Sequence, residues 1–220
     1  MITTASSLTL VPFRQNRLLQ VLLVCYGLLW LAMAIRPVYP ADWALENVLV
    51  VIFVLSAWRT YKTQAFSELS YILVFIFMCL HSIGAHYTYA EVPFGYWLQD
   101  LFGHERNHYD RIVHFSFGLL LTYPVREFIM RHSHIRGRWL FAFALSLSIA
   151  ASAIYELVEW AAVLIVSPEA GQSYLGTQGD EFDAQKDVAL ASFGAFITLI
   201  IAQLFAREHA HLFTKDGPVP

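Results

Sequence analysis

The chain is short of charge. Only 14% of its 220 residues are Asp, Glu, Lys or Arg, against about a quarter in an ordinary soluble domain. So few charges cannot cover a water-facing surface, and 57% of the residues are hydrophobic. That composition belongs to the membrane class. A net charge of −3 provides no basic field for nucleic acid, so no nucleic-acid partner is expected. Cysteine is scarce as well. Cys25 and Cys79 sit in separate apolar runs and cannot build a four-sulfur zinc site. Both read as small, buried apolar residues. Internal repeats, low-complexity tracts and linkers are missing, which leaves one domain. Familiar catalytic signatures are missing too. There is no G-x-S-x-G, "GTQG" at 176–179 lacks the lysine of a P-loop, and "GDEFDAQKD" has the wrong spacing and glycine position for an EF-hand.

What the chain does have is apolar runs. Six stand out: Leu18–Ile35, Trp43–Trp58, Leu69–Gly84, Ile112–Phe128, Trp139–Val166 and Val188–Ala206. A helix needs about 20 apolar residues to cross the hydrocarbon core. The second and third runs need their flanks to reach that length, and the fifth is long enough to tilt. These runs predict an all-α polytopic membrane protein, a bundle of about six transmembrane helices over residues 18–206. Tails would occupy 1–17 and 207–220, the latter ending in a disordered "TKDGPVP". The first run has a second reading. Arg14 and Arg17 precede it, and "AMA" at 32–34 resembles a signal-peptide cleavage site. Its length and the spans that follow favour a retained helix.

The basic residues orient the bundle. Arg14 and Arg17, Arg59 and Lys62, Arg126, Arg131, Arg136 and Arg138, then Arg207 and Lys215 occupy alternate gaps, ten of the fourteen. Arg36, Arg106, Arg111 and Lys186 lie on the other side. Cytoplasmic loops are the ones rich in Lys and Arg, so both termini should be cytoplasmic. Loops near 85–111 and 167–187 should face outward. Trp43, Trp58, Tyr96, Trp97 and Trp139 fit an interfacial aromatic belt. "RHSHIRGR" at 131–138 reads as a cytoplasmic anchor that touches anionic lipid headgroups.

Polar residues inside such spans are costly, about 2.5–3.5 kcal/mol for a charge at the bilayer centre. Glu156 and Glu159 are three apart and share a helix face. Asp110 and His114 are four apart, with Asn107 on the same face. A carboxylate one turn from an imidazole orients it, raises its basicity or shares a metal with it. His81 and His86 are five apart and converge only if the helix ends near Gly84. Asp180, Asp183 and Asp187 make one helical stripe before the last run. Asp180 suits a cap and Glu181 faces water. Gly176 and Gly179 give that loop the backbone freedom to fold close to a ligand. "HERNH" at 104–108 matches the zinc-protease H-E-x-x-H pattern, but in a tyrosine-rich loop with no third ligand downstream.

The topology brings these groups to one leaflet, from four helices. Intramembrane ionisable residues are a functional-site hypothesis by default. Asp110, Arg111, His114 and Glu156 are the candidate catalytic residues, with Arg111 placed to hold an anionic headgroup. His81, His86, His114, Glu156, Glu159, Asp183 and Asp187 are the candidate metal ligands. Mixed imidazole and carboxylate donors suit a divalent Zn, Mn or Fe.

"HSIGAHYTY", "NHYDRIVHFSFGLLLTYPVRE", "YELVEW" and "GTQGDEFDAQKD" together resemble the YjdF-like family of bacterial inner-membrane proteins, across most of the chain. D-R-x-x-H-F, an acidic helix and D-x-x-x-D before a small-residue helix also resemble, more distantly, the VanZ-like superfamily. The Glu-x-x-Gln usual there is Glu156-x-x-Glu159 here. The resemblance implies a multi-pass protein of the bacterial inner membrane, surrounded by lipid. Carried over by motif, it implies a site at Asp110, Arg111, His114, Glu156, Glu159, Asp183 and Asp187. It implies no activity and no oligomeric state. Three functional readings follow from the residues: metal-dependent chemistry on a lipid-linked or envelope molecule, proton-linked transport or binding, and a scaffold whose acids pair with Arg106, Arg111 and Lys186.

Overall fold

The structure, a computed structural model, describes residues 12–61, 66–164 and 176–214. A 3-10 turn at Phe13–Gln15 leads into α1 (Arg17–Met33), α2 (Pro40–Thr60), α3 (Glu68–Tyr87), α4 (Pro93–Phe102), α5 (Tyr109–Ser116), α6 (Thr122–His132), α7 (Gly137–Val163) and α8 (Asp183–Thr214). A π turn at Phe117–Leu121 joins α5 to α6, so one helix runs from Tyr109 to His132. Among the described residues there is no strand.

Four helices are long and apolar enough to cross a membrane: Pro40–Arg59, Glu68–Tyr87, Gly137–Val163 and Asp183–Phe205. The two short runs reach that length by recruiting their flanks, as expected. The other two runs are helical as well, as the 17-residue α1 and the composite α5–α6. The protein is therefore an all-α polytopic membrane protein. Three boundaries differ from expectation. The helix of the last run continues to Thr214 rather than ending at Ala206. The fifth closes at Val163. The loop near 85–111 contains α4. Lys62, Lys215, most of the terminal "TKDGPVP" and residues 165–175 of the second long loop lie outside the described residues.

The helix starts follow from local chemistry. The Asn16 side chain accepts from the Leu19 N–H, and Ser67 accepts from Ser70 N–H, each satisfying a donor that has no partner within the helix. Pro40 and Pro93 open α2 and α4, where the missing N–H costs nothing.

The chain divides into two compact units, residues 1–107 and 108–220. In the first, α1 and α3 meet at their C-terminal ends. Tyr26 Oη and Ser82 Oγ share a hydrogen bond at 3.2 Å, and His86 Nδ1 lies 2.8 Å from the Met33 carbonyl. Trp30 Nε1 donates to Asn47 Oδ1 at 2.6 Å and ties α1 to α2. One sequence expectation fails here. Cys25 is exposed on α1, and only Cys79 is partly buried. A small apolar side chain on a membrane helix has no need of the protein interior, because lipid serves it equally well.

In the second unit, α7 runs antiparallel to the composite helix. Thr122 Oγ1 and Ser148 Oγ share a hydrogen bond at 2.8 Å, and eight residues away on both helices His114 meets Glu156. Ile129, Leu140, Ala144 and Leu199 form the apolar core at the opposite end. α8 runs parallel to the composite helix and lies very close to it. A Cβ on Gly118 would sit 1.8 Å from the Ala191 carbonyl oxygen, and one on Gly194 would sit 2.3 Å from that of Phe115. Small residues at the crossing let the two backbones touch.

Candidate metal centre

Gly118 and Gly194 determine what lies above them. One turn before Gly118 is His114, and one more turn back is Asp110. Two turns before Gly194 is Asp187. With the backbones in contact at the glycines, these side chains are forced together. The ligand atoms of Asp110, His114 and Asp187 all lie within 4.8 Å of one another. Two donors about 2.1 Å from a shared ion are at most about 4.2 Å apart, so a contraction of roughly half an ångström would close the set on a cation. Glu156, from α7, brings Oε1 to 3.3 Å from His114 Nε2, and Asp110 Oδ1 lies 3.5 Å from the same nitrogen. The Tyr155 ring packs edge-on against the imidazole, centroid to centroid 6.0 Å.

Asp187 Oδ1 is buried with no hydrogen-bond partner, and Glu156 Oε1 is buried with only the 3.3 Å ion-pair approach of His114. Asp187 as a whole is only 1% exposed. Buried carboxylate oxygens are normally satisfied, and leaving one unsatisfied is costly.

Arg111 fixes the other side of Asp187. Its Nη1 lies 2.7 Å from Asp187 Oδ2 and donates to the Asp183 carbonyl at 2.9 Å. Its Nη2 donates to Asp183 Oδ1 at 2.6 Å and to Asp180 Oδ2 at 3.0 Å. The guanidinium expected to grip a headgroup is thus occupied by aspartates. Asp187 is held by one oxygen, with the other turned toward the buried cluster.

The "GTQGDEFD" loop adopts the conformation its glycines allow. Gly176, Gln178 and Gly179 all have positive φ, with Gly179 at 85°. Asp180 caps the approach to α8 by accepting from the Phe182 N–H at 3.1 Å, a side-chain turn two residues long. Lys186 Nζ donates to Asp180 Oδ2 at 2.6 Å. That ammonium first, then the Phe182 N–H and the Arg111 charge, hold the Asp180 carboxyl below the usual carboxylate range.

The remaining sequence candidates are not among the three convergent residues. His81 and His86 belong to the first unit. Each has its own partner there: Tyr89 Oη for His81 Nδ1 at 2.6 Å, the Met33 carbonyl for His86. Glu159 is half-buried one turn beyond Glu156, outside the convergent trio. Asp183 serves Arg111. "HERNH" lies in an irregular stretch between α4 and α5, with His104 and Glu105 exposed, so its histidines do not share a helical turn. That removes the zinc-protease geometry. The glycine crossing was missed from the sequence, although it left a signal: "SFG" occurs at 116–118 and again at 192–194.

Residues 18–208 match the family described as "Predicted membrane protein (DUF2238)". The chain belongs to the DUF2238 family. The match takes in every residue of the centre. A DUF2238 chain's relative, the inner membrane protein YjdF of Escherichia coli (strain K12), is 37% identical over 176 residues, which is 80% of this chain and 82% of YjdF. With an inner-membrane relative and four span-length apolar helices, this DUF2238 protein is a multi-pass protein of the bacterial inner membrane. No solved structure matches it.

Proposed function

We propose that Asp110, His114 and Asp187 bind one divalent cation at the outward-facing ends of α5 and α8, and that the bound ion serves chemistry on a lipid-linked or envelope molecule. One observation carries this reading: three ligand atoms converge within 4.8 Å beside a buried, unpartnered oxygen of Asp187. Charge supports it. Asp110, Glu156, Asp183 and Asp187 are all at most 14% exposed, and Arg111 is the cation ion-paired among them. The carboxylates outnumber the one guanidinium, and a divalent ion would offset the charge that Arg111 leaves unbalanced. One imidazole and two carboxylates suit Mn, Fe or Zn. Such an ion, when bound, would polarise a phosphoryl or carbonyl oxygen or lower the pKa of a water. Glu156 takes the role of proton acceptor, since its buried Oε1 lies 3.3 Å from His114 Nε2. Arg111 is a positioning residue, because its donors already hold aspartates.

A scaffold reading is favoured by the Arg111 ion cluster, which binds α5 to α8 without any ligand. It accounts for Asp180, Asp183 and one oxygen of Asp187. It leaves Asp110, His114, Glu156 and Asp187 Oδ1 unexplained. Metal content of the protein purified in lipid nanodiscs separates the two. About one divalent metal per chain is expected, lost in His114→Ala and Asp187→Asn but kept in Asp180→Asn. Lipid extracts from cells carrying wild-type or His114→Ala protein should then differ in a polar lipid by mass spectrometry. A wild-type protein that stays metal-free after loading with Mn, Fe(II) and Zn would leave the scaffold.

A further inference from the structure

We propose that α4 is an interfacial helix that lies along the lipid headgroup boundary with Phe94, Trp97 and Leu101 sunk toward the acyl chains. Phe94, Trp97, Leu98 and Leu101 recur at i, i+3, i+4 and i+7, one continuous stripe. Phe94 is 51%, Trp97 57% and Leu101 57% exposed, so among the described residues these three are largely uncovered, while Leu98 is partly buried. The Phe94 and Trp97 rings stack with centroids 5.6 Å apart, making one apolar plate. Tyr96, Gln99 and Asp100 occupy the other side, and Asp100 is the helix's only charge.

The helix is anchored so that this stripe stays free. Gly95 packs on Asn107, where a Cβ would fall 1.7 Å from the amide oxygen. Asn107 Nδ2 donates to the Val92 carbonyl at 3.0 Å, and Val92 is 2% exposed. The clasp ties the residue before α4 to the chain that leaves it.

Length and tether decide what covers the stripe. Ten residues make about 15 Å of helix, half of the roughly 30 Å hydrocarbon core, so α4 cannot cross. Residues 88–92 alone link it to the end of α3, a reach of at most about 18 Å. An apolar stripe held that close to the end of a membrane span meets the bilayer boundary, where tryptophan is favoured.

Site-directed spin labelling tests this. In a Cys25→Ser, Cys79→Ser background, single cysteines replace Trp97, Leu101, Gln99 and Asp100, and the labelled protein is placed in phosphatidylethanolamine–phosphatidylglycerol vesicles. Labels at 97 and 101 should collide several-fold more with oxygen than with a water-soluble nickel chelate, and labels at 99 and 100 the reverse. High nickel access at 97 and 101 would overturn the proposal, as would low access to both probes, which marks a protein partner or second copy. If the cysteine-free background fails to fold, quenching of tryptophan fluorescence by brominated lipid gives the same answer. Wild type should lose a quenchable component when Trp97→Phe is made, and no change would overturn the proposal.

Discussion

Arg111 sits 9% exposed among Asp180, Asp183 and Asp187, and each of its terminal nitrogens serves more than one acceptor. Removing one member of such a buried cluster strands the rest, typically at about 3–5 kcal/mol. Arg111→Met should therefore destabilise the protein by about that much, read as a lowered melting temperature in detergent. Arg111→Lys should fall between, because an ammonium cannot reproduce the planar fork. The adjacency of Asp110 and Arg111 is plain in the sequence. That acids pair with Arg111 was one reading of the sequence, but which acids was not legible, because its acceptors at 180 and 183 are 69 and 72 residues away. Spacing on one helix shows which residues share a face, as it did for Asp110 and His114. It does not show which other helix that face meets. Glu156 was singled out for its cost inside a span and placed at the same leaflet as His114, while the 3.3 Å distance between them came from the structure.

The elements were legible in proportion to how apolar they are. Long runs gave the spans, because lipid demands helices of a set length. α4 was hidden within a loop because ten residues are too few to register as a span. The π turn at Phe117–Leu121 was hidden as well. Pro124, just beyond it, has no N–H to return to the preceding turn, and Thr198 Oγ1 of α8 donates to the Leu119 carbonyl there. The widened turn and the glycine pair thus act together: both serve the close crossing of α5–α6 with α8. This assigns a test to the element rather than to the ligands. Gly118→Ala forces a methyl group against the Ala191 carbonyl and should weaken divalent-metal binding at least ten-fold with helix content unchanged by circular dichroism. Gly27→Ala, where nothing lies within 4 Å of the added methyl, should bind as wild type. Equal weakening in both variants would detach the crossing from the centre.

At the scale of the whole molecule, the deficit of charge gave the class and the apolar runs located six of the helices with α4 missed, because both follow from the solvent. Membership of DUF2238 and the likeness to an inner-membrane relative agree with that reading. The centre was less legible. Seven metal-ligand candidates could be named; among the described residues the possible ligand atoms of Asp110, His114 and Asp187 converge, and Asp110 had been read as catalytic and as able to share a metal with His114. His81 and His86 belong to the first unit, where Tyr89 Oη and the Met33 carbonyl are their partners. Electron spin echo spectroscopy of the Mn²⁺-loaded protein in nanodiscs tests the central claim most directly. One histidine nitrogen should couple to the bound ion, the coupling should vanish in His114→Ala, and it should persist in His81→Ala and His86→Ala. Bound Mn²⁺ without nitrogen coupling, or with coupling that survives His114→Ala, would contradict the account.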